Sequence, residues 1–303
     1  MSKTKGIIIT VLSATAFGFA FTLAPMTYGS GGSNPITLTF LRNALCLPVL
    51  LIVLKLEGVS IKADRRILWR MLLLGCFVTT TSLTYNIALS MIDVGMVTTL
   101  HYVYPALVML VCVAFFKEKL TIKKGISLAC VTLGAACFLI GGTAGGNGVA
   151  LKGICFALLS GVSHTCYTVF MDKSGLKNEP PIRIALYAGI SASVIAIIFG
   201  YITSSFAFAA ITPRAWVISI VFSLLCNVVA LPMFQLGIKY VGPTMAAILS
   251  TMEPITGNVF GILLLGENIS VVKIVSCLLI VSGVVILSLS KKEYKSIEET
   301  TGC

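Results

Sequence analysis

The sequence predicts an all-α integral membrane protein with ten transmembrane helices, arranged as two inverted-topology repeats of five helices, with both termini cytoplasmic. Hydrophobic residues make up 57% of the 303 positions and charged residues only 11%, which water-soluble domains of this size do not show. Apolar runs recur along the whole chain, and its two halves resemble each other at a fixed offset. These observations place the chain in a lipid bilayer.

Each predicted span is an apolar run of about 20 residues, the length that crosses a bilayer core as an α-helix. The loops between these runs are short and leave no room for a soluble domain. The ten runs are centred near Ala16, Leu45, Val78, Val108, Leu133, Leu159, Ser193, Leu225, Met252 and Leu279.

The net charge of +11 would suit a nucleic-acid partner, but the basic residues follow the loops. If the N-terminus is cytoplasmic, 18 of the 22 Lys and Arg residues fall in cytoplasmic segments. This asymmetry is typical of membrane proteins that obey the positive-inside rule. It predicts cytoplasmic termini and no nucleic-acid partner.

The ten cysteines show no spacing typical of a disulfide framework or a metal site, and nine of them lie inside predicted spans. They are interpreted as small apolar packing residues. We therefore expect no metal and no cofactor.

The first three spans carry few polar groups. Span 1, about residues 6–28, ends in the flexible turn GSGGSN, and Pro35 starts span 2. Arg42, about seven residues into span 2, either extends to the outer interface or faces a central cavity. In span 3, Asn86 shares one helix face with Ser82 and Thr79, a stripe that suits either helix packing or a transport pathway.

Span 4 contains His101, Tyr104 and Pro105 on one side of the helix. The proline leaves the His101 carbonyl without its usual partner, which is tolerated near a cavity or a neighbouring polar group. His101 is interpreted either as an interhelical contact or as a substrate or proton contact.

Spans 5 to 8 differ in their polar content. Span 5 is rich in small residues and predicts close packing, and span 7 is interpreted as peripheral. Span 6 places Ser160, His164 and Tyr167 on one face, and span 8 carries Asn227 and Gln235. His164, Tyr167 and Asn227 are candidate pathway residues.

Span 9 carries the most deeply placed acid of the chain. Glu253 lies eleven residues after Gly242, roughly 16 Å into an apolar core about 30 Å thick. It is followed by Pro254 and preceded by Ser250, a further candidate. An ionisable group at that depth needs a cavity, a partner or a proton. Glu253 is therefore either a proton- or cation-binding group or a structural contact that holds the kink.

A shift of 149 residues superposes Pro105 on Pro254, Glu118 on Glu267 and Tyr104 on Glu253. The predicted units are residues 5–143 and 150–290, followed by a cytoplasmic tail at 291–303. Because five is odd, the second unit enters the membrane from the opposite side. Inverted repeats of this kind are typical of secondary transporters.

Glu118 and Glu267 end spans 4 and 9, where a polar turn meets the next helix. Each is interpreted as a residue that caps or fixes the turn, with a gating ion pair as the alternative.

The motifs FKEKLT and LGENIS, the YP and EP pairs and the string VGPTMAAILSTMEP resemble the EamA family of the drug/metabolite transporter superfamily. The resemblance covers about residues 5 to 290. It implies a ten-helix multi-pass carrier of the inner (plasma) membrane, commonly an exporter of amino acids or other small metabolites. It also implies that spans 1, 3, 4, 6, 8 and 9 line the cavity, with 5 and 10 as scaffold and 2 and 7 peripheral.

The leading expectation is a secondary carrier of a small organic metabolite, coupled to protons through Glu253. The alternative is a membrane enzyme acting on a lipid or amphipathic substrate, which the lack of paired carboxylates or metal-ligand motifs disfavours. Whether the protein is a monomer or a homodimer stays open.

Overall fold

The computed structural model describes residues 3–92, 97, 100–117, 121–141 and 148–265, with scattered positions between 271 and 286. The described residues form helices and no β-strand. The first half contains α1 (Lys3–Leu23), α2 (Pro35–Ala44), α3 (Leu47–Leu56), α4 (Arg65–Leu89), α5 (Tyr104–Phe116) and α6 (Ile122–Gly141). The second half contains α7 (Gly148–Lys173), α8 (Pro181–Ile202), α9 (Pro213–Ser223), α10 (Leu231–Val241), α11 (Pro243–Leu249) and α12 (Met252–Leu265).

Within these ranges, seven helical segments are long and apolar enough to cross a membrane, and two shorter apolar helices accompany them. The shorter ones are Tyr104–Phe116 and Gly125–Gly134, which belong to predicted spans 4 and 5. The predicted tenth span and the tail at 291–303 fall largely or wholly outside the described residues. The total of ten helices and the side on which the termini lie stay predictions.

Several predicted spans are interrupted helices. Span 2 divides into α2 and α3 because Pro48 has no N–H to offer the Ala44 carbonyl. Span 8 joins α9 to α10 through a π-helical segment, Leu224–Ala230. Such π segments are rare in proteins, and those that occur often lie at functional sites.

Two helices form the centre of the bundle. Helix α1 packs against α10 and α12, and α4 packs against α7 and α8. The crossing of α1 with α12 is close, because a Cβ at Gly18 would lie 2.5 Å from the Glu253 carbonyl oxygen. Small residues permit such approach between membrane helices.

Hydrogen bonds join the two halves near the ends of their helices. Arg70 Nη1 donates to the Ser174 carbonyl at 2.6 Å, and Arg183 Nε donates to the Ser60 carbonyl at 2.9 Å. Each arginine lies near the start of a helix, α4 or α8, and contacts a loop that the charge distribution predicts to be cytoplasmic. Elsewhere, the Thr212 N–H donates to the Gly31 carbonyl at 3.2 Å and joins two loops predicted to be outside.

The outer surface exposes large apolar side chains on many helices. Phe115 is 76% exposed and Leu110 is 63% exposed, while the interior holds polar groups such as Ser160 and Asn86. A surface of this kind is unfavourable in water and favourable in lipid tails. The protein is therefore a multi-pass membrane protein.

Candidate functional site

The helix of span 4 is interrupted just before Tyr104. The residues Tyr102 and Val103 form a turn, and Pro105 stands in the first turn of α5. The His101 carbonyl, which the proline leaves without a helical donor, faces α7: a Cβ at Gly161 would lie only 2.8 Å from that oxygen. The absence of a side chain at Gly161 therefore lets α7 approach this first break.

The helix of span 9 is interrupted at Ser250 and Thr251, between α11 and α12. Pro254 leaves the Ser250 carbonyl without its usual helical donor. That oxygen accepts the Glu253 N–H at 2.9 Å and the Tyr102 hydroxyl at 3.0 Å. The free carbonyl at the second break thus accepts a hydrogen bond from Tyr102, a residue of the first break.

A second tyrosine also links the two breaks. The Tyr104 hydroxyl contacts the Ser250 hydroxyl and lies 3.4 Å from the Ala247 carbonyl. Ser250 Oγ in turn donates to the Ala247 carbonyl at 2.8 Å. The two interrupted helices, which the sequence repeat relates to each other, therefore meet through their side chains.

A cavity of about 610 Å³, a volume that includes its opening, lies beside these breaks. Its wall combines aromatic and apolar groups with a few polar side chains. The residues are Phe17, Phe21, Arg42, Val78, Thr81, Ser82, Tyr85, His101, Tyr104, His164, Tyr167, Leu231, Phe234, Ser250 and Glu253.

The two histidines lie in a cluster of aromatic rings. The His164 ring centre is 4.5 Å from that of Tyr104 and 5.5 Å from that of Tyr167. His101 Nδ1 lies 2.8 Å from Ser160 Oγ, which itself donates to the Ala157 carbonyl at 2.6 Å.

Glu253 lies in the first turn of α12, where the free N–H groups of a helix favour a negative charge. The side chain is buried, with 9% of its surface exposed. Among the described residues, no Lys or Arg forms an ion pair with it. Within the described part of the chain, the acid of this site is therefore not ion-paired.

Arg42 is the second charged group of the cavity. It is 5% exposed, and its guanidinium lies 5.3 Å from the ring centre of Phe21 and 5.6 Å from that of Phe222. Of the two positions that the sequence left open, Arg42 thus takes the one facing the cavity. Span 2, expected to be peripheral, contributes to the wall because this side chain is long enough to extend between the two rings.

The other predicted site residues fall into three groups. Six of them line the cavity: Glu253, His101, Tyr104, His164, Tyr167 and Ser250. Two lie outside its wall: Asn227 donates to the Arg42 carbonyl at 2.6 Å, and Asn86 donates to Thr39 Oγ1 at 3.0 Å. Glu118 and Glu267 lie outside the described residues.

Sequence reasoning missed Tyr102, Tyr85 and Thr81. Tyr85 and Thr81 share helix α4 with the predicted polar stripe, so the helical period could have suggested them. Tyr102 contributes through the turn at the first break, which no periodic pattern indicates. Within the described ranges, no group of three or more His, Cys, Asp or Glu side chains is arranged to hold a metal.

A polytopic helical bundle with a polar cavity beside two interrupted helices is the arrangement typical of membrane transporters. The EamA-like transporter family model matches residues 4–140 and 151–289, so the chain belongs to the EamA-like transporter family and carries both of its repeats.

Two curated relatives are named as transporters. The uncharacterized transporter YwfM of Bacillus subtilis is 26% identical over 172 residues, and the match spans 56% of this chain and 57% of that protein. An uncharacterized transporter of Archaeoglobus fulgidus is 26% identical over 281 residues, with 91% and 93% of the two chains covered.

The fold also matches a solved structure described as "Crystal structure of protein". Its TM-score is 0.77 over 97% of this chain and 99% of that chain, at 17% identity. At this identity the likeness concerns the fold.

Proposed function

We propose that the protein is a secondary carrier that exports small organic metabolites such as amino acids across the inner (plasma) membrane. The observation that supports this function best is the cavity beside the two broken helices. It contains the carboxyl group of Glu253 and the guanidinium of Arg42, which do not form an ion pair with each other. Polar groups at the junction of inverted repeats are typical of carrier binding sites.

In this proposal, the units 5–143 and 150–290 rock against each other around the cavity. Its wall combines residues of both units: Phe21, Arg42 and Tyr104 come from the first, and His164 and Glu253 come from the second. A relative rotation of the units would open the cavity to each side in turn, which is alternating access. Glu118 and Glu267 remain candidate gate or turn residues.

Glu253 is the proposed proton-coupling group. A buried carboxylate without a counter-ion is unfavourable, so the site favours either a bound proton or a bound cationic group. Alternation between these two occupants would link proton movement to substrate movement. The proposed binding site also includes five other residues of the cavity wall: His101, Tyr104, His164, Tyr167 and Ser250.

Purified protein in liposomes tests this function. The liposomes are loaded with an equimolar mixture of the proteinogenic amino acids, and efflux is followed by mass spectrometry at several imposed pH gradients. We expect saturable efflux and counterflow of a subset of the mixture. Glu253→Gln is expected to slow this efflux about 10- to 100-fold, since a hydrogen bond to a charged group is worth about 1.5–3 kcal/mol.

Glu57→Gln is the matched control, because Glu57 is an exposed acid at the end of α3. It is expected to transport like the wild type. If Glu253→Gln transports normally with the same pH dependence, Glu253 does not couple protons. If the wild type gives neither saturable efflux nor counterflow, amino acid export is wrong.

A further inference from the structure

We infer that Arg42 binds the carboxylate group of the transported metabolite. The inference rests on the proposed function, because it needs an organic substrate in the cavity. It deepens that function by assigning one chemical group of the substrate to one side chain.

Arg42 lines the cavity and has a hydrogen-bond donor that is not in use. The side chain is 5% exposed, and its Nε atom is buried with no hydrogen-bond partner among the described residues. None of the ion pairs among the described residues involves Arg42. Buried donors are normally satisfied, and a bare buried charge is strongly unfavourable. An anionic ligand would satisfy both requirements.

The surroundings hold the guanidinium in place without occupying its donors. Phe21 and Phe222 attract it through their ring faces, which involves no N–H hydrogen bond. Arg42 also lies in the last turn of α2, where the free carbonyl groups favour a cation. These contacts explain how the protein keeps the charge in the absence of a bound acid.

The backbone of Arg42 is fixed by the second repeat. Its carbonyl accepts two hydrogen bonds at 2.6 Å, from Ser223 Oγ and from Asn227 Nδ2. Asn227 belongs to the π-helical segment, whose wider turn changes the direction of the side chains. A binding group anchored across the two repeats would sense their relative movement.

A second unused polar group lies in the same wall. Within the part of the chain that the structure describes, the buried Thr81 hydroxyl oxygen has no hydrogen-bond partner, and Thr81 also lines the cavity. A hydroxyl can donate a hydrogen bond to an anionic group, so this wall holds a further possible donor for a bound acid.

The charge balance of the cavity favours a carboxylate over a phosphate. Among the described lining residues, Arg42 is the one Lys or Arg, and Glu253 is the one Asp or Glu. A singly charged carboxylate matches a single guanidinium, which binds it through paired N–H groups. A doubly charged phosphate would retain an uncompensated charge and be repelled by Glu253. In an amino acid, the ammonium group would be the natural partner of Glu253.

The test compares each amino acid with its own carboxamide, which lacks the carboxylate. Detergent-purified wild type, Arg42→Gln and Arg42→Lys are dialysed to equilibrium against a mixture of amino acids and their carboxamides, and the retained compounds are quantified. We expect the wild type to retain acids over amides by about 10- to 100-fold, the range for hydrogen bonds to charged groups. Arg42→Gln is expected to lose this preference.

Two comparison variants separate the loss of the binding group from a general folding defect. Arg42→Lys keeps the charge without the paired donors and is expected to show an intermediate preference. Arg214→Gln removes an exposed arginine at the start of α9 and is expected to retain the wild-type preference. The melting temperature of each variant shows whether it is folded.

The inference is wrong if the wild type retains amides as well as acids, if it retains neither, or if Arg42→Gln keeps the preference. In each of these cases, saturable efflux in the liposome experiment would still support the carrier. Loss of that efflux in the wild type would instead remove the proposed function.

Discussion

The two broken helices share a backbone design and differ in the contacts that complete it. In both, a proline removes the donor of the carbonyl four residues earlier, and in both a glycine of another helix lies against the break. Gly161 of α7 faces the His101 carbonyl, and Gly18 of α1 faces the Glu253 carbonyl. The prolines occupy repeat-equivalent positions, 149 residues apart, but the glycines do not: Gly161 faces the freed carbonyl, whereas Gly18 faces a carbonyl three residues past the freed one at Ser250.

The side chains at the breaks are not equivalent. The first break contributes Tyr102 and Tyr104, which bond to the second, whereas the second contributes Glu253, which faces the cavity. The repeated prolines thus interrupt the helical hydrogen bonding at two places, and the unlike residues at these places give the two breaks different chemistry. The first break stabilises the contact between the halves, and the second break supplies the carboxyl group of Glu253.

Gly18→Ala is expected to have the largest effect on stability. The added Cβ would lie 2.0 Å from Thr256 Oγ1 and 2.5 Å from the Glu253 carbonyl oxygen, so α1 and α12 must separate. Overpacking of this kind costs about 1–3 kcal/mol, and we expect the upper part of that range. The measurement is the melting temperature of the purified protein in detergent.

Gly125→Ala is the control for this substitution, since the added Cβ would meet no heavy atom of another described helix or loop within 4 Å. Alanine favours helix over glycine by up to about 1 kcal/mol, so the control is expected to be neutral or stabilising. Equal melting temperatures for the two variants would show that the contact between α1 and the second break is not tight.

Gly161→Ala tests the first break in the same way and is expected to have a smaller effect. Its Cβ would lie 2.8 Å from the His101 carbonyl oxygen, the one contact shorter than 3.0 Å there. We expect a loss in the lower part of the range of about 1–3 kcal/mol, again read from thermal unfolding in detergent.

Cys155→Ala on the same helix is the control, because Cys155 is exposed. A loss at Gly161 as large as that at Gly18 would mean that the two breaks are equally constrained. No loss at Gly161 would contradict the close approach of α7.

Tyr102→Phe is expected to have the smallest effect of the three. It removes the hydroxyl that donates to the Ser250 carbonyl at 3.0 Å, while the Glu253 N–H continues to occupy that oxygen. The expected loss is about 0.5–1.5 kcal/mol, as for a single hydrogen bond. Chemical unfolding at fixed detergent concentration measures it.

Tyr201→Phe provides the comparison, because Tyr201 is 82% exposed at the end of α8. If the two variants unfold alike, the hydroxyl of Tyr102 does not hold the breaks together. A loss of unfolding free energy seen only in Tyr102→Phe would support the conclusion that the first break stabilises the contact between the halves.

Much of the architecture could be predicted because the bilayer imposes strict requirements on a chain. Apolar length identified the long spans, and the two YP and EP positions indicated where the helices are interrupted. Six of the eight predicted pathway residues line the cavity, since polar groups in an apolar helix must face the interior.

The direction of individual side chains was less predictable. Asn227 looked like a pathway residue but anchors the Arg42 carbonyl, and Arg42 looked equally suited to the interface and to the interior. Hydrophobic periodicity is weak in these helices because lipid-facing and buried faces are both apolar. Apolar periodicity alone therefore does not give the orientation of a helix, which depends on its few polar residues and on packing.

The sequence by itself determined that the chain is a membrane protein of long helices, repeated at an offset of 149 residues, with one acid deep in an apolar helix. Composition and spacing suffice for this because they set the transfer free energy of each segment into lipid. Only the tertiary structure decided that the two breaks bond to each other and that Arg42 and Glu253 share a cavity without pairing. Such contacts join residues more than 100 positions apart, and packing between helices, not local sequence, brings them together.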